Sequence, residues 1–261
     1  MPPTESEPLP MPRADQLLVD LQLANSRTHA RKLIDGGRVQ VRSGPAWEPL
    51  RKPSQKLDAS AEIRVEALPE DRFVSRAGLK LEAILERTGI DVQGWHALDV
   101  GCSTGGFSDC LLQRGAALVV GVDVGHDQLS PKLRNDPRMH LYEGVNARNL
   151  NTSLRESHAP AGFDGIVMDV SFISQKLILP RLPALLAEGG SLLSLIKPQF
   201  EVGPEGIGKG GIVRDEKLYP QVEHAICELC ESLDLRVQHY IDSPITGGDG
   251  NREFLLWAIK K

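Results

Sequence analysis

Residues 98–115 read LDVGCSTGGFSDCLLQRG. A short apolar run around Asp99 meets a glycine turn, and the turn opens a stretch that closes on Gly115. This is the pattern of a strand feeding a helix, with the turn at the carboxyl end of the strand, where open α/β sheets collect ligands. Glycine in such a turn lets the backbone come close to a ligand, and the helix amino end offers free N–H groups beside it. The spacing departs from two familiar ligand loops. Gly101 is followed by Cys102 and Ser103, and the next glycines are Gly105 and Gly106, so the dinucleotide pattern G-x-G-x-x-G is not met. There is no G-x-x-x-x-G-K-[ST] either, which sets aside a P-loop nucleotidase.

Outward from the loop, strand-like runs recur: ALDVG, LVVGVDV, MHLYEG, GIVMDV, SLLSLIK, RVQHYID and EFLLWAIK. Most are near-continuous apolar runs, as expected of a sheet covered on both faces. Helical stretches at 76–87, 105–114, 174–188 and 216–233 alternate with them. The pattern predicts a doubly wound, Rossmann-like α/β domain with a seven-stranded, mostly parallel sheet. Asp123 in GVDVG follows the loop by about twenty residues, the place of a carboxylate that binds a ribose diol. A helix cap is the other reading of that residue. Loop plus acid indicates an adenosine-containing cofactor.

Residues 13–67 form a separate small α+β unit. RADQLLVDLQLANSR predicts a helix with Leu17, Leu18, Leu21 and Leu23 on an apolar stripe. Ser26 is placed to cap a second helix closed by Gly36 and Gly37. RVQVR alternates strictly, and two more short strands are expected after it. The chain carries a net charge of −5, yet residues 25–56 hold eight cations against two acids, a net of +6. A basic module on an acidic body predicts a phosphate-bearing partner. Arg27, Arg31, Lys32, Arg38 and Arg42 are its candidate nucleic-acid contacts, with Arg27 and Arg31 sharing one helix face. Residues 1–12, proline-rich and acidic, read as a disordered leader and 68–75 as a linker to the domain over 76–261.

Other classes are weakened by composition. The chain is 41% hydrophobic and 25% charged, a globular balance. No apolar run approaches the ~18 residues of a membrane span, and the amino end lacks the basic and apolar segments of a secretory signal. Four cysteines in 261 residues make no disulfide scaffold, and a reducing cytoplasm is expected. Cys227 and Cys230 form a C-x-x-C without a second pair, so buried thiols are expected rather than zinc. The seven histidines show no metal spacing, and no metal is expected.

One strand ends oddly. SLLSLIKPQFE (191–201) closes an apolar run on Lys197 and then Pro198. A strand exit into solvent explains a lysine there; so does chemistry at the strand end. The stretches SRAGLKL, GCSTGGFSD, GVDVG, RNDPR, VNARNL, MDVSFIS, IKPQFEVG and GNREF favour the second reading. Together they resemble the TlyA family of ribosomal RNA ribose 2′-O-methyltransferases, also called hemolysins, and the similarity runs from about Arg13 to Trp257. The resemblance implies an RNA-binding domain of the ribosomal protein S-four kind joined to an FtsJ-like methyltransferase that uses S-adenosylmethionine. It implies a catalytic set of Lys80, Asp169, Lys197 and Glu253. It also implies a cofactor site at Gly101, Ser103, Thr104, Gly105, Gly106, Phe107 and Asp123, with Asn146 a weaker match. The implied substrate is cytidine in ribosomal RNA within ribosomal subunits. The sequence stops soon after its last strand, without the carboxyl-terminal segment associated with broader subunit targeting, so the small subunit, the large subunit or both stay open as targets, with the expectation leaning toward the large. A pore-forming hemolysin and a non-catalytic assembly factor are the competing readings.

The implied chemistry suits these residue types. A ribose hydroxyl is a poor nucleophile and must lose its proton as it attacks a sulfonium methyl. An ammonium has donors only, so Lys197 acts either as a neutral base or as a cation. Lys80 is suited to stabilise the developing alkoxide, Asp169 to orient Lys197, and Glu253 to position Lys80 or the ribose. The glycine-rich stretch 203–216 beside Lys197 reads as a lid or a plain connection.

Overall fold

The computed structural model describes residues 11–24, 26–248 and 250–261. Most of the stretch read as a leader lies outside them. The chain forms two compact units that divide between Pro69 and Glu70.

The small unit packs α1 (Ala14–Asp20) and α2 (Arg27–Asp35) on a sheet of β1 (Val39–Ser43), β2 (Ala46–Pro49) and β3 (Ile63–Val65). The order is β2-β1-β3, all antiparallel. Gly44 and Pro45 make the two-residue turn between β1 and β2, with Gly44 at φ +59°. Ser26 caps α2 by accepting the His29 N–H. Its core gathers Leu17, Leu18, Leu33, Ile34, Val39 and Leu50. The predicted stripe of the first helix is cut short. α1 stops at Asp20, Gln22 takes φ +59°, and Leu21 is left exposed. Asp15 is buried at the start of α1, where Arg13 and Arg27 converge on it and hold its carboxyl well below the usual range.

The large unit runs α3 (Ala77–Thr88), β4 (His96–Val100), α4 (Gly106–Gln113), β5 (Leu118–Val122), α5 (Pro131–Arg134), β6 (Met139–Tyr142), α6 (Ser153–His158), β7 (Phe163–Met168), β8 (Leu186–Ile196), α7 (Tyr219–Ser232), β9 (Leu235–Asp242) and β10 (Phe254–Lys260). Seven strands form one sheet in the order β6-β5-β4-β7-β8-β10-β9. The sheet is parallel except for β10, which runs against both neighbours. An apolar cluster covers each face, one holding Leu98, Val120 and Ile166, the other Ala97, Val119 and Val167. Alternate residues of the same strands thus point into opposite cores. The expected helix over 174–188 is absent. Two 3₁₀ turns, Gln175–Leu177 and Leu179–Arg181, stand there, and β8 already begins at Leu186. Pro180 and Pro183 each lack the N–H that a continuing helix needs.

Candidate active site

Strand direction brings the chemistry to one edge. β4, β7 and β8 run parallel, so Gly101, Asp169 and Lys197, each next after its strand, emerge on the same edge of the sheet. β10 runs the other way and pairs Phe254 with Ile196, so Glu253 reaches that edge from the opposite end of its strand. The edge lies beside the point between β4 and β7 where the strand order reverses, the usual ligand position in such sheets.

Lys80 arrives from α3, on the face that also carries Leu81, Ile84 and Leu85. It is only 5% exposed. A buried ammonium must be paired, and Lys80 Nζ donates to Oε2 of Glu253, itself 4% exposed. A second pair stands beside the first. Lys197 Nζ lies 2.6 Å from Asp169 Oδ1 and donates to Ser171 Oγ at 2.8 Å. All four predicted catalytic residues line one cavity of about 290 Å³, together with Gly101, Ser103, Thr104, Gly106 and Phe107.

Asp99, also on the wall, was not singled out from the sequence. Its Oδ2 accepts the Ser108 N–H at 3.0 Å and the Ser108 hydroxyl at 2.6 Å, while its buried Oδ1 has no partner among the described residues. Burial pushes its carboxyl up to about 7, and the Ser108 bonds only partly oppose that. An unpartnered buried acceptor on a cavity wall fits a ligand with a cationic, donating end. S-adenosylmethionine carries such an end in its ammonium group. The position of Asp99 between Leu98 and Val100 gave the signal, an acid inside an otherwise apolar strand. Ser171 was legible only as part of VSFIS. Phe172 follows it at φ +62° and 91% exposed, its ring 5.2 Å from that of Phe200.

The loop glycines answer to protein neighbours. A Cβ on Gly106 would meet Ser75 Oγ at 2.2 Å and Ala77 Cβ at 2.9 Å, so this glycine lets the start of α3 lie against the start of α4. A Cβ on Gly105, at φ +91°, would meet Leu133 Cδ1 at 2.3 Å. Gly105 is not on the cavity wall, and neither are Asp123 and Asn146. Asp123 instead braces the loop, accepting Ser103 N–H at 2.8 Å and Gly125 N–H at 2.7 Å. Asn146 caps a short turn by accepting the Arg148 N–H.

In the small unit, Arg31 and Lys32 stand exposed on α2. The other three basic candidates have intramolecular partners: Arg27 bonds Asp15, Arg38 the Glu66 carbonyl, and Arg42 the Glu62 carboxylate. The stretch 203–216 is tied down at the Ile207–Val213 bridge. Asn251 fastens it further by accepting the Val213 N–H and donating to the Gly211 carbonyl. On α7, Cys230 is buried and Cys227 half-buried, both as free thiols. Among the described residues no helix is long and apolar enough to cross a membrane.

Comparison with known proteins identifies the family. Residues 73–260 match the FtsJ-like methyltransferase family and residues 12–63 the S4 domain. YqxC of Bacillus subtilis, which bears the name of an rRNA methyltransferase, is 42% identical over 94% of this chain and 84% of its own. The 16S/23S rRNA (cytidine-2′-O)-methyltransferase TlyA of Mycobacterium tuberculosis is 39% identical over 94% of this chain and 88% of its own. A solved structure of a hemolysin-designated protein from Streptococcus thermophilus superimposes with a TM-score of 0.71 at 38% identity, covering 97% of this chain and 90% of that one. With an S4 domain ahead of a methyltransferase domain and this likeness along nearly its whole length, the chain belongs to the TlyA branch of the FtsJ-like methyltransferases, which use S-adenosylmethionine.

Proposed function

We propose that the protein methylates the 2′-hydroxyl of a cytidine in ribosomal RNA, acting on ribosomal subunits in the cytoplasm. The observation that carries this reading is the convergence of two lysine–carboxylate pairs on one cavity rim. Bound S-adenosylmethionine supplies an electrophilic methyl group on a sulfonium. Asp99 and the loop residues Gly101, Ser103, Thr104, Gly106 and Phe107 are assigned to hold it, with Asp123 bracing the loop through Ser103.

The remaining residues act on the ribose. Asp169 and Ser171 hold the Lys197 amine at the rim. In its neutral form, after giving a proton to solvent, the Lys197 amine takes the hydroxyl proton, and Asp169 stabilises the ammonium so formed. Lys80, fixed by Glu253, presents a second positive charge to the oxygen as it becomes anionic. Phe172 offers an exposed aromatic face to a nucleotide turned out of its helix. The basic unit over 13–67 contributes phosphate contacts that position the RNA, with 68–75 as its connection to the methyltransferase domain. Incubation with labelled S-adenosylmethionine and isolated large or small subunits, followed by nucleoside digestion, tests the assignment. Labelled 2′-O-methylcytidine is the expected product; label in another nucleoside or on a base would refute it.

A further inference from the structure

Glu201 lies four residues after Lys197, at the end of IKPQFE. Its carboxylate reaches across to the loop that follows Asp169. Oε2 accepts the Ser174 hydroxyl at 2.6 Å, and Oε1 accepts the Gln175 N–H at 2.7 Å. Gln175 carries the connection inward. Its side chain, 2% exposed, donates to the Leu195 carbonyl at 2.6 Å and accepts the Ser194 hydroxyl at 2.7 Å. The loop over 171–175 is thereby fastened to β8 two residues before Lys197 and to Glu201 four residues after it. At the other end of this loop, Ser171 receives the Lys197 hydrogen bond. The arrangement has a cost, because burial pushes the Glu201 carboxyl up while the Ser174 and Gln175 bonds pull it back. A neutral residue that filled the same space would avoid that cost but could not accept both donors.

We propose that Glu201 is a positioning residue for Lys197: it locks the 171–175 loop against the exit of β8, so that Ser171 keeps the amine aimed at the ribose hydroxyl. The proposal rests on the methyl-transfer reading of the cavity. Misplacement of a reacting group by about 1 Å costs on the order of 100-fold in rate. Glu201→Ala is therefore expected to lower kcat between about 10-fold and 100-fold. KM for ribosomal subunits and binding of S-adenosylmethionine stay near the wild-type values. Glu201→Gln recovers most of the rate, since its amide oxygen still accepts the Gln175 N–H and the Ser174 hydroxyl can turn to accept from its NH₂.

The test combines single-turnover transfer with hydrogen exchange of the segment spanning 171–178, on the full chain. Exchange there should rise in Glu201→Ala and not in Glu201→Gln. Ser171→Ala and the double variant complete a cycle: if Glu201 works through Ser171, the double variant loses no more than Ser171→Ala alone. Should Glu201→Ala not fold, Ser174→Ala, which removes one of the two bonds, takes its place. Wild-type kcat in the Ala variant, or losses that multiply fully in the double variant, would overturn the proposal while the wild type still transfers methyl. No transfer by the wild type would instead overturn the reading of the cavity, and this proposal with it.

Discussion

Two buried or half-buried lysine–carboxylate pairs are the proposed seat of the chemistry, and they differ in what their loss should do. Lys80 and Glu253 are both almost fully buried, so removing one partner strands a charge. Lys80→Met should destabilise the fold by about 3–5 kcal/mol. Lys80→Met combined with Glu253→Leu should recover a large part of that loss while remaining inactive, as read by denaturant unfolding. Asp99 makes a pH prediction. Its carboxyl sits at about 7 in the fold, against about 3.9 when unfolded. Between those values the folded state keeps a proton that the unfolded chain has lost, so stability falls as pH rises through this window and levels off above it. The full fall is roughly 4 kcal/mol for a shift of this size. Asp99→Asn keeps an acceptor for Ser108 and should flatten the slope, measured as unfolding free energy from pH 4 to 8. At pH 8 the same variant should bind S-adenosylmethionine more weakly, because it no longer offers a carboxylate to the ligand's ammonium.

At the scale of elements, the site depends on how α3 meets α4. Gly106→Ala would drive a methyl group into Ser75 and Ala77. The expected result is a loss of about 1–3 kcal/mol and weaker cofactor binding, seen by thermal unfolding and by titration. Elements show why parts of the structure were legible in the sequence. The seven strands could be read because most are near-continuous apolar runs with a length that suits a covered sheet. The four catalytic candidates could be named because each lies in a motif of the resembled family; strand direction brings Asp169, Lys197 and Glu253 to one edge, and α3 supplies Lys80. What sequence reading lost is local or tertiary. The helix expected over 174–188 fails on Pro180 and Pro183, and α1 ends before Leu21. The spacing of Asp123 suggested a ribose contact but did not disclose its two backbone bonds, from the Ser103 N–H of the glycine loop and from the Gly125 N–H two residues on. Asp99 is marked in the sequence as an acid inside an apolar strand, but that one of its oxygens lacks a partner among the described residues shows only in three dimensions.

At the scale of the whole molecule, charge is divided between the units. Residues 25–56 of the small unit carry a net +6 within a chain of net charge −5, and two of these cations, Arg31 and Lys32, stand exposed on one helix. Replacing both with Glu should raise KM for ribosomal subunits and leave kcat unchanged. The salt dependence of binding should become shallower by about one unit of slope for each phosphate that is no longer neutralised. In the other unit, the rim where Lys197 meets Asp169 is the proposed place of transfer. The most direct measurement is methyl transfer from labelled S-adenosylmethionine to ribosomal subunits by the wild type and Lys197→Ala in parallel, with cofactor binding measured on both. The wild type is expected to yield 2′-O-methylcytidine and the variant to lose at least about 100-fold in rate, with cofactor still bound. Transfer by Lys197→Ala at a rate near that of the wild type would contradict this assignment.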